Sequence, residues 1–183
     1  MGIDKDAATK IAPKVAATLD KYDVDTLVSS DLPRAEQSAE LIAEYMDDEP
    51  EIEATRALRT WDTGDMAGKK ESVTVPQRQK LIKYPDIEAP GGESFQTFLD
   101  RYEPELQDIV DRRANGEGIA FVAHGHHLLA APHILQDEEV DPKNLPTLDE
   151  TYEPGGVYAM YVEGKKIRIE RLDEGDESDE DDA

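Results

Sequence analysis

Ile119-Ala120-Phe121-Val122-Ala123-His124-Gly125-His126-His127 (residues 119–127) is the stretch on which the fold turns. Five apolar residues in a row without polar alternation read as a strand buried on both faces, the habit of a parallel sheet. His124-Gly125 ends the strand, and Leu128-Leu129-Ala130-Ala131 opens a helix. Upstream, Phe95, Phe98, Leu99, Tyr102, Leu106, Ile109 and Val110 recur at i, i+3, i+4, i+7 after the break at Pro90-Gly91-Gly92. That spacing predicts an amphipathic helix bent at Pro104 and closed by Asn115-Gly116. Further out, DVDTLVSS (23–30) predicts a strand feeding a helix over 32–45, and a first helix covers 4–21. Residues 52–59 predict a short strand, followed by a loop through Gly64 and Gly68 and a helix over 76–83. Two alternating runs, 157–162 and 165–172 around Gly164, predict a terminal hairpin. No internal repeat is visible. Alternating helices and strands predict an α/β domain of three layers, with a mostly parallel central sheet flanked by helices.

The chain has 183 residues, enough for one domain, with 38% hydrophobic and 34% charged residues. Asp and Glu number 43 against 20 Lys and Arg, a formal charge of −23. That balance argues against nucleic acid and anionic membrane surfaces as partners, since both are held by cations. No apolar run approaches the roughly 20 residues of a membrane span, and no basic-then-apolar leader opens the chain. Without cysteine there is no disulfide, thiolate nucleophile or Cys-ligated metal. A soluble cytoplasmic protein is expected. Residues 173–183 (DEGDESDEDDA) carry eight carboxylates and no base, so they are expected to form a disordered tail beyond a folded domain of residues 1–172. Without them the body still carries −15, a surface suited to concentrated salt and suggestive of a halophilic source.

Two strand ends hold the chemistry, because ligands of open α/β sheets bind beyond the carboxyl ends of the strands. In Ser29-Ser30-Asp31-Leu32-Pro33-Arg34, hydroxyls at a strand tip precede an arginine in the first helical turn. Helix amides and a guanidinium make an anion site there. The alternative is a surface Arg34 with Asp31 or Ser30 capping the helix. At the other end, the His124 imidazole follows an apolar strand directly and is placed to face a pocket. His124, His126, His127 and His133 are the only histidines of the chain, but nothing interleaves them at metal-ligand spacing, so no metal is expected. His126 and His127 read as a polar helix start.

SSDLPRAEQSAELIAE, ALRTWDTGDMAGK, PGGESFQTFLDR and FVAHGHHLLAA follow one another in the order and spacing of the histidine phosphatase (phosphoglycerate mutase-like) superfamily, which the chain resembles over residues 26–131. Residues 3–19 look like the helix that follows the first catalytic loop in that family. The resemblance implies a phosphomonoesterase or mutase working through a phosphohistidine, without metal or organic cofactor. In such enzymes a histidine of an Arg-His-Gly motif attacks phosphorus. Its arginine, a second arginine and a second histidine clamp the phosphoryl oxygens, and a carboxylate protonates the leaving oxygen. Arg34 matches the second arginine and His124 the second histidine, while Ser30 could line the phosphate pocket. Where many members have the acidic glutamate, this chain has Thr60; Asp62 and Asp65 are the nearest carboxylates, Asp62 being the candidate acid. Glu93 and Ser94 are expected to set the start of the long helix.

The departures carry as much. There is no histidine in residues 1–123, and the first arginine is Arg34, so the Arg-His-Gly motif is absent. With it goes the first strand of the family fold, which the resemblance places between the strands at 24–29 and 119–123. Its loss implies a gap in backbone pairing there, or those two strands brought together around a repacked core. Two expectations follow: a complete form with the motif upstream of Met1, or a catalytically dead relative that keeps an anion pocket. As written, the chain is not expected to turn over phosphate esters. About twenty residues between Gly68 and Pro90 leave little for a lid, favouring phosphatase over mutase. The absence of a basic cluster beside Arg34 favours phosphate or a small, singly phosphorylated substrate. The competing functions are a phospho-ligand-binding or structural module and an acidic interaction protein acting through its tail. An open sheet edge would favour a homodimer.

Overall fold

Local chemistry sets most of the element boundaries. Ser94 caps a helix, its Oγ accepting the Thr97 N–H at 3.0 Å, and the apolar stripe beyond it runs unbroken through Pro104 as α4 (Phe95–Ala114). α1 (Lys5–Asp20) and α2 (Pro33–Ala43) take their predicted places, α2 opening on a proline at its first position. β1 (Thr26–Ser30), β2 (Glu51–Thr55) and β3 (Ile119–Val122) are the strands of the main sheet, and α5 (Gly125–Gln136) follows β3. The strand predicted over 52–59 is shorter, because the Thr55 Oγ1 accepts the Ala57 N–H and turns Arg56–Leu58 into a 3-10 helix. α3 (Glu71–Lys83) starts before the predicted residue 76 and carries Pro76 within it. β4 (Tyr158–Glu163) and β5 (Lys166–Arg171) form the terminal antiparallel hairpin. This computed structural model describes residues 5–143, 155–163 and 166–172. The acidic tail at 173–183 lies outside the described residues.

The sheet order is β2-β1-β3, all parallel. Leu27 faces a small aliphatic cluster with Val15, Ala16, Leu19 and Met46 under α1 and α2. Val28, its neighbour on the opposite face, joins a larger aromatic core with Trp61, Phe95, Phe98 and Tyr102 under α4 and α5. Period-two alternation on one strand thus gives the three layers. β1 and β3 pair directly, Thr26 opposite Ile119 through Ser29 opposite Val122, so of the two expectations for these strands, a gap or direct contact, it is direct contact that is found. The expectation that 119–123 is buried on both sides is also corrected. Among the described residues β3 has β1 as its only strand neighbour, and Ala120, Phe121 and Val122 are half-buried. Among the described residues the hairpin pairs only within itself; Met160 packs on the aromatic core and Val157 on the aliphatic one.

Candidate active site

Parallel pairing with Ser29 opposite Val122 brings the carboxyl ends of β1 and β3 side by side. Ser29 and Ser30 are fully buried there. The Ser29 hydroxyl donates to the Ser30 carbonyl at 3.0 Å, and the Ser30 Oγ accepts the Leu32 N–H at 3.3 Å, turning the chain into α2. Neither Asp31 nor Ser30 caps that helix: its N-cap is Leu32, with no side-chain cap bond. Asp31 instead accepts Nε and Nη2 of Arg59 at 2.6 and 2.7 Å, and this hydrogen bonding holds its carboxyl below the usual carboxylate range. Arg34 follows in the first turn and is exposed.

His124 is the N-cap of α5, in extended conformation with φ −133° and ψ 160°. Burial pushes its pKa down to about 4, with the positive charges of Arg34 and Arg101 adding to the effect. The ring is therefore neutral near pH 7. Its Nε2 is buried and makes no hydrogen bond among the described residues. Two guanidiniums from different helices thus lie near enough to bias one imidazole, leaving a neutral nitrogen beside positive charge.

Arg101 was not singled out from the sequence, where it sits inside an amphipathic stripe and looks like a surface charge. In the fold it donates to the carbonyls of Ala57, Arg59 and Thr60 at 3.0, 2.6 and 3.0 Å and to Glu93 Oε1 at 2.6 Å. Its guanidinium lies 5.1 Å from the Phe98 ring centroid. Glu93 also accepts the Asp62 N–H at 2.9 Å, so it organises the 57–62 loop rather than the helix start, which belongs to Ser94. Thr60, at the position of the family glutamate, bonds His126 Nδ1 at 3.0 Å. Asp62 is exposed, and its carboxylate accepts the Gly64 N–H at 2.9 Å, a turn-forming use of an aspartate. The reading of His126 and His127 as a polar helix start holds poorly for His127, which is fully buried. Its ring stands 4.5 Å from Tyr102 and 5.2 Å from Phe98, because α5 packs that face on α4. Among the described residues no group of three or more His, Asp or Glu is placed to hold a metal ion. No described helix is long and apolar enough to cross a membrane.

A family model described as the histidine phosphatase superfamily (branch 1) matches residues 6–174. Solved structures share the fold at low identity. A mycobacterial glucosyl-3-phosphoglycerate phosphatase in complex with inorganic phosphate superposes with TM-score 0.58 at 21% identity, covering 89% of this chain and 82% of that one. The α-ribazole phosphatase of Shigella flexneri gives 0.54 at 17% identity, covering 90% and 81%. A phosphoglycerate mutase of Bacillus anthracis gives 0.62 at 19% identity, covering 93% and 81%. No curated protein sequence matches the chain significantly.

Proposed function

The chain belongs to the histidine phosphatase superfamily, and from that premise we propose that the ends of β1 and β3 form the phosphoryl pocket of a phosphomonoesterase. The observation that carries this reading is a neutral, half-buried His124 under the influence of both Arg34 and Arg101. A phosphoryl dianion entering there meets an exposed guanidinium on α2 and the positive field of another, whose Nη hydrogens are committed to the Ala57, Arg59 and Thr60 carbonyls and to Glu93. Ser30 lines the strand end, and Asp62 is the proposed acid for the leaving oxygen, reached by releasing its bond to Gly64. Phosphate charge beside His124 opposes the burial that keeps it neutral, so binding draws a proton onto the ring.

The reaction of such a site proceeds through a histidine attacking phosphorus. The ester P–O bond breaks as the alkoxide takes a proton, and water then cleaves the P–N bond to release phosphate. Residues 1–123 contain no histidine to serve as that nucleophile. In this proposal residues 1–183 bind phosphate without turnover, and a form of the protein carrying an Arg-His-Gly segment is the hydrolase. The same sequence fact supports a second reading, a non-catalytic module for a phosphorylated ligand.

The test titrates inorganic phosphate into the 183-residue chain while following histidine ring signals by NMR. Binding with a rise in the His124 midpoint is expected, and Arg34→Ala should weaken it by roughly tenfold or more. No perturbation of His124 at any phosphate concentration would remove the pocket. Protein from its native source then separates the two readings. A mass above 20.4 kDa with acid-labile phosphohistidine after substrate pulse marks the hydrolase. A mass of 20.4 kDa and no phosphoprotein marks the module.

A further inference from the structure

We propose that His127 is a positioning residue for His124: with its proton on Nδ1 it holds the His124 carbonyl and so fixes the His124 ring at the end of β3. The proposal deepens the reading of that strand end as a phosphate site and rests on it only for the affinity arm of its test.

His127 Nδ1 lies 3.2 Å from the His124 carbonyl oxygen. A carbonyl can only accept, so this contact assigns the proton to Nδ1 and leaves Nε2 as a bare lone pair. The His127 backbone N–H donates to the same oxygen at 2.9 Å. One residue thus supplies two donors to the carbonyl of the helix N-cap, at a helix start where the cap side chain makes no bond of its own. The rest of the ring is enclosed. Tyr102 and Phe98 stand edge-on at 4.5 and 5.2 Å, and the His124 ring lies 5.9 Å away. Within this cage the Nε2 atom is buried and has no hydrogen-bond partner among the described residues.

Stability alone argues for a different residue. Leu or Phe would fill an aromatic cage without stranding a nitrogen in it, and a buried unpaired acceptor is destabilising. A histidine that keeps one nitrogen orphaned while the other is aimed at the backbone of a site residue fits a role in placing that residue. The ring is kept neutral, and its Nε2 bare, mainly by burial, helped by the charges of His124, His126 and Arg101 and opposed by the bond to the His124 carbonyl, which favours the charged ring.

The chemistry of side-chain amides supplies the test. An asparagine amide reaches the place of the Nδ1–H donor, whereas glutamine reaches toward Nε2. Full-length H127F, H127N and H127Q would be compared by NMR titration of the His124 ring and by inorganic phosphate affinity. Far-UV circular dichroism would check the fold. For H127F we expect the His124 midpoint to move by about half a pH unit or more and phosphate to bind roughly tenfold more weakly. H127N should bring both back to wild type, and H127Q should not. If H127F fails to fold, H127N against H127Q decides by the same readouts. Wild-type behaviour in H127F, or no difference between H127N and H127Q, overturns the proposal. Should wild type bind no phosphate, the pocket reading fails by itself, and the His124 midpoint still decides the role of His127.

Discussion

His124 and His127 sit at different depths, yet both are held neutral by loss of solvation, His124 with its pKa near 4 and His127 well below its ordinary value. In the unfolded chain such rings titrate near 6.5. Between about pH 6.5 and pH 4 the unfolded chain therefore gains protons that the folded one refuses, and stability falls as the solution is acidified. For a fully buried ring such as His127 the slope approaches about 1.4 kcal/mol per pH unit. Asp31 is shifted downward too, but from the ordinary carboxylate range, so its stabilisation is present above that range and lost only below it, and it leaves the upper part of this window clear. Urea unfolding at pH 7.5 and pH 5 checks the expectation, and His127→Leu should flatten the difference. Equal stability at the two pH values in the wild type would show these rings protonate freely. The places of Arg34 in a first helical turn and of His124 at a strand end were legible in the sequence because both are local patterns. Arg101 and His127 were not, because what defines them is far along the chain: Arg101 reaches Thr60, 41 positions away, and His127 leans on Phe98 and Tyr102 of another helix.

The loops at 60–66 and 89–93 behave as one element although a long stretch of chain separates them. Glu93 N–H donates to the Asp62 carbonyl at 3.0 Å and Asp65 N–H to the Pro90 carbonyl at 2.8 Å. Gly92 allows that approach: a Cβ there would stand 2.3 Å from the Asp62 oxygen and 2.6 Å from the Gly64 nitrogen, both backbone atoms that cannot rotate away. Gly92→Ala should therefore cost about 2 kcal/mol or more. It should also loosen Thr60 from His126, since Thr60 lies two residues before Asp62. A thermal melt with NMR of the His126 ring reads both effects, and an unchanged melt would mean the loops part without loss. The glycines at 64, 68, 91 and 92 predicted loops correctly, but spacing along one chain does not say which loop meets which. The same limit governs β3. Its apolar run identified a parallel strand, while its place at the edge of the described sheet depends on neighbours that no local pattern encodes.

At the scale of the whole molecule a charge of −23 dominates, most of it outside the tail. Clustered carboxylates repel in dilute buffer, and the repulsion weakens once the screening length drops to a few ångströms, about 3 Å at 1 M salt. The melting temperature should therefore rise by several degrees between about 0.1 M and 2 M KCl, as calorimetry at both concentrations would show; a flat or falling trend would remove the argument for a halophilic source. The three-layer plan, with its parallel sheet and flanking helices, was readable throughout because each layer announces itself by period. The inequality of the layers was not. The α4–α5 side is packed with rings, whereas α2 is held through Ala35 and Ala39 and a small aliphatic cluster shared with α1. Arg101 and His124 belong to the stiff side and Arg34 to the slack one. In the proposed site a phosphate held between them would be a tether across the sheet, lending the lightly packed helix the rigidity of the heavily packed one. Amide hydrogens of α2 beyond its first turn should report its arrival.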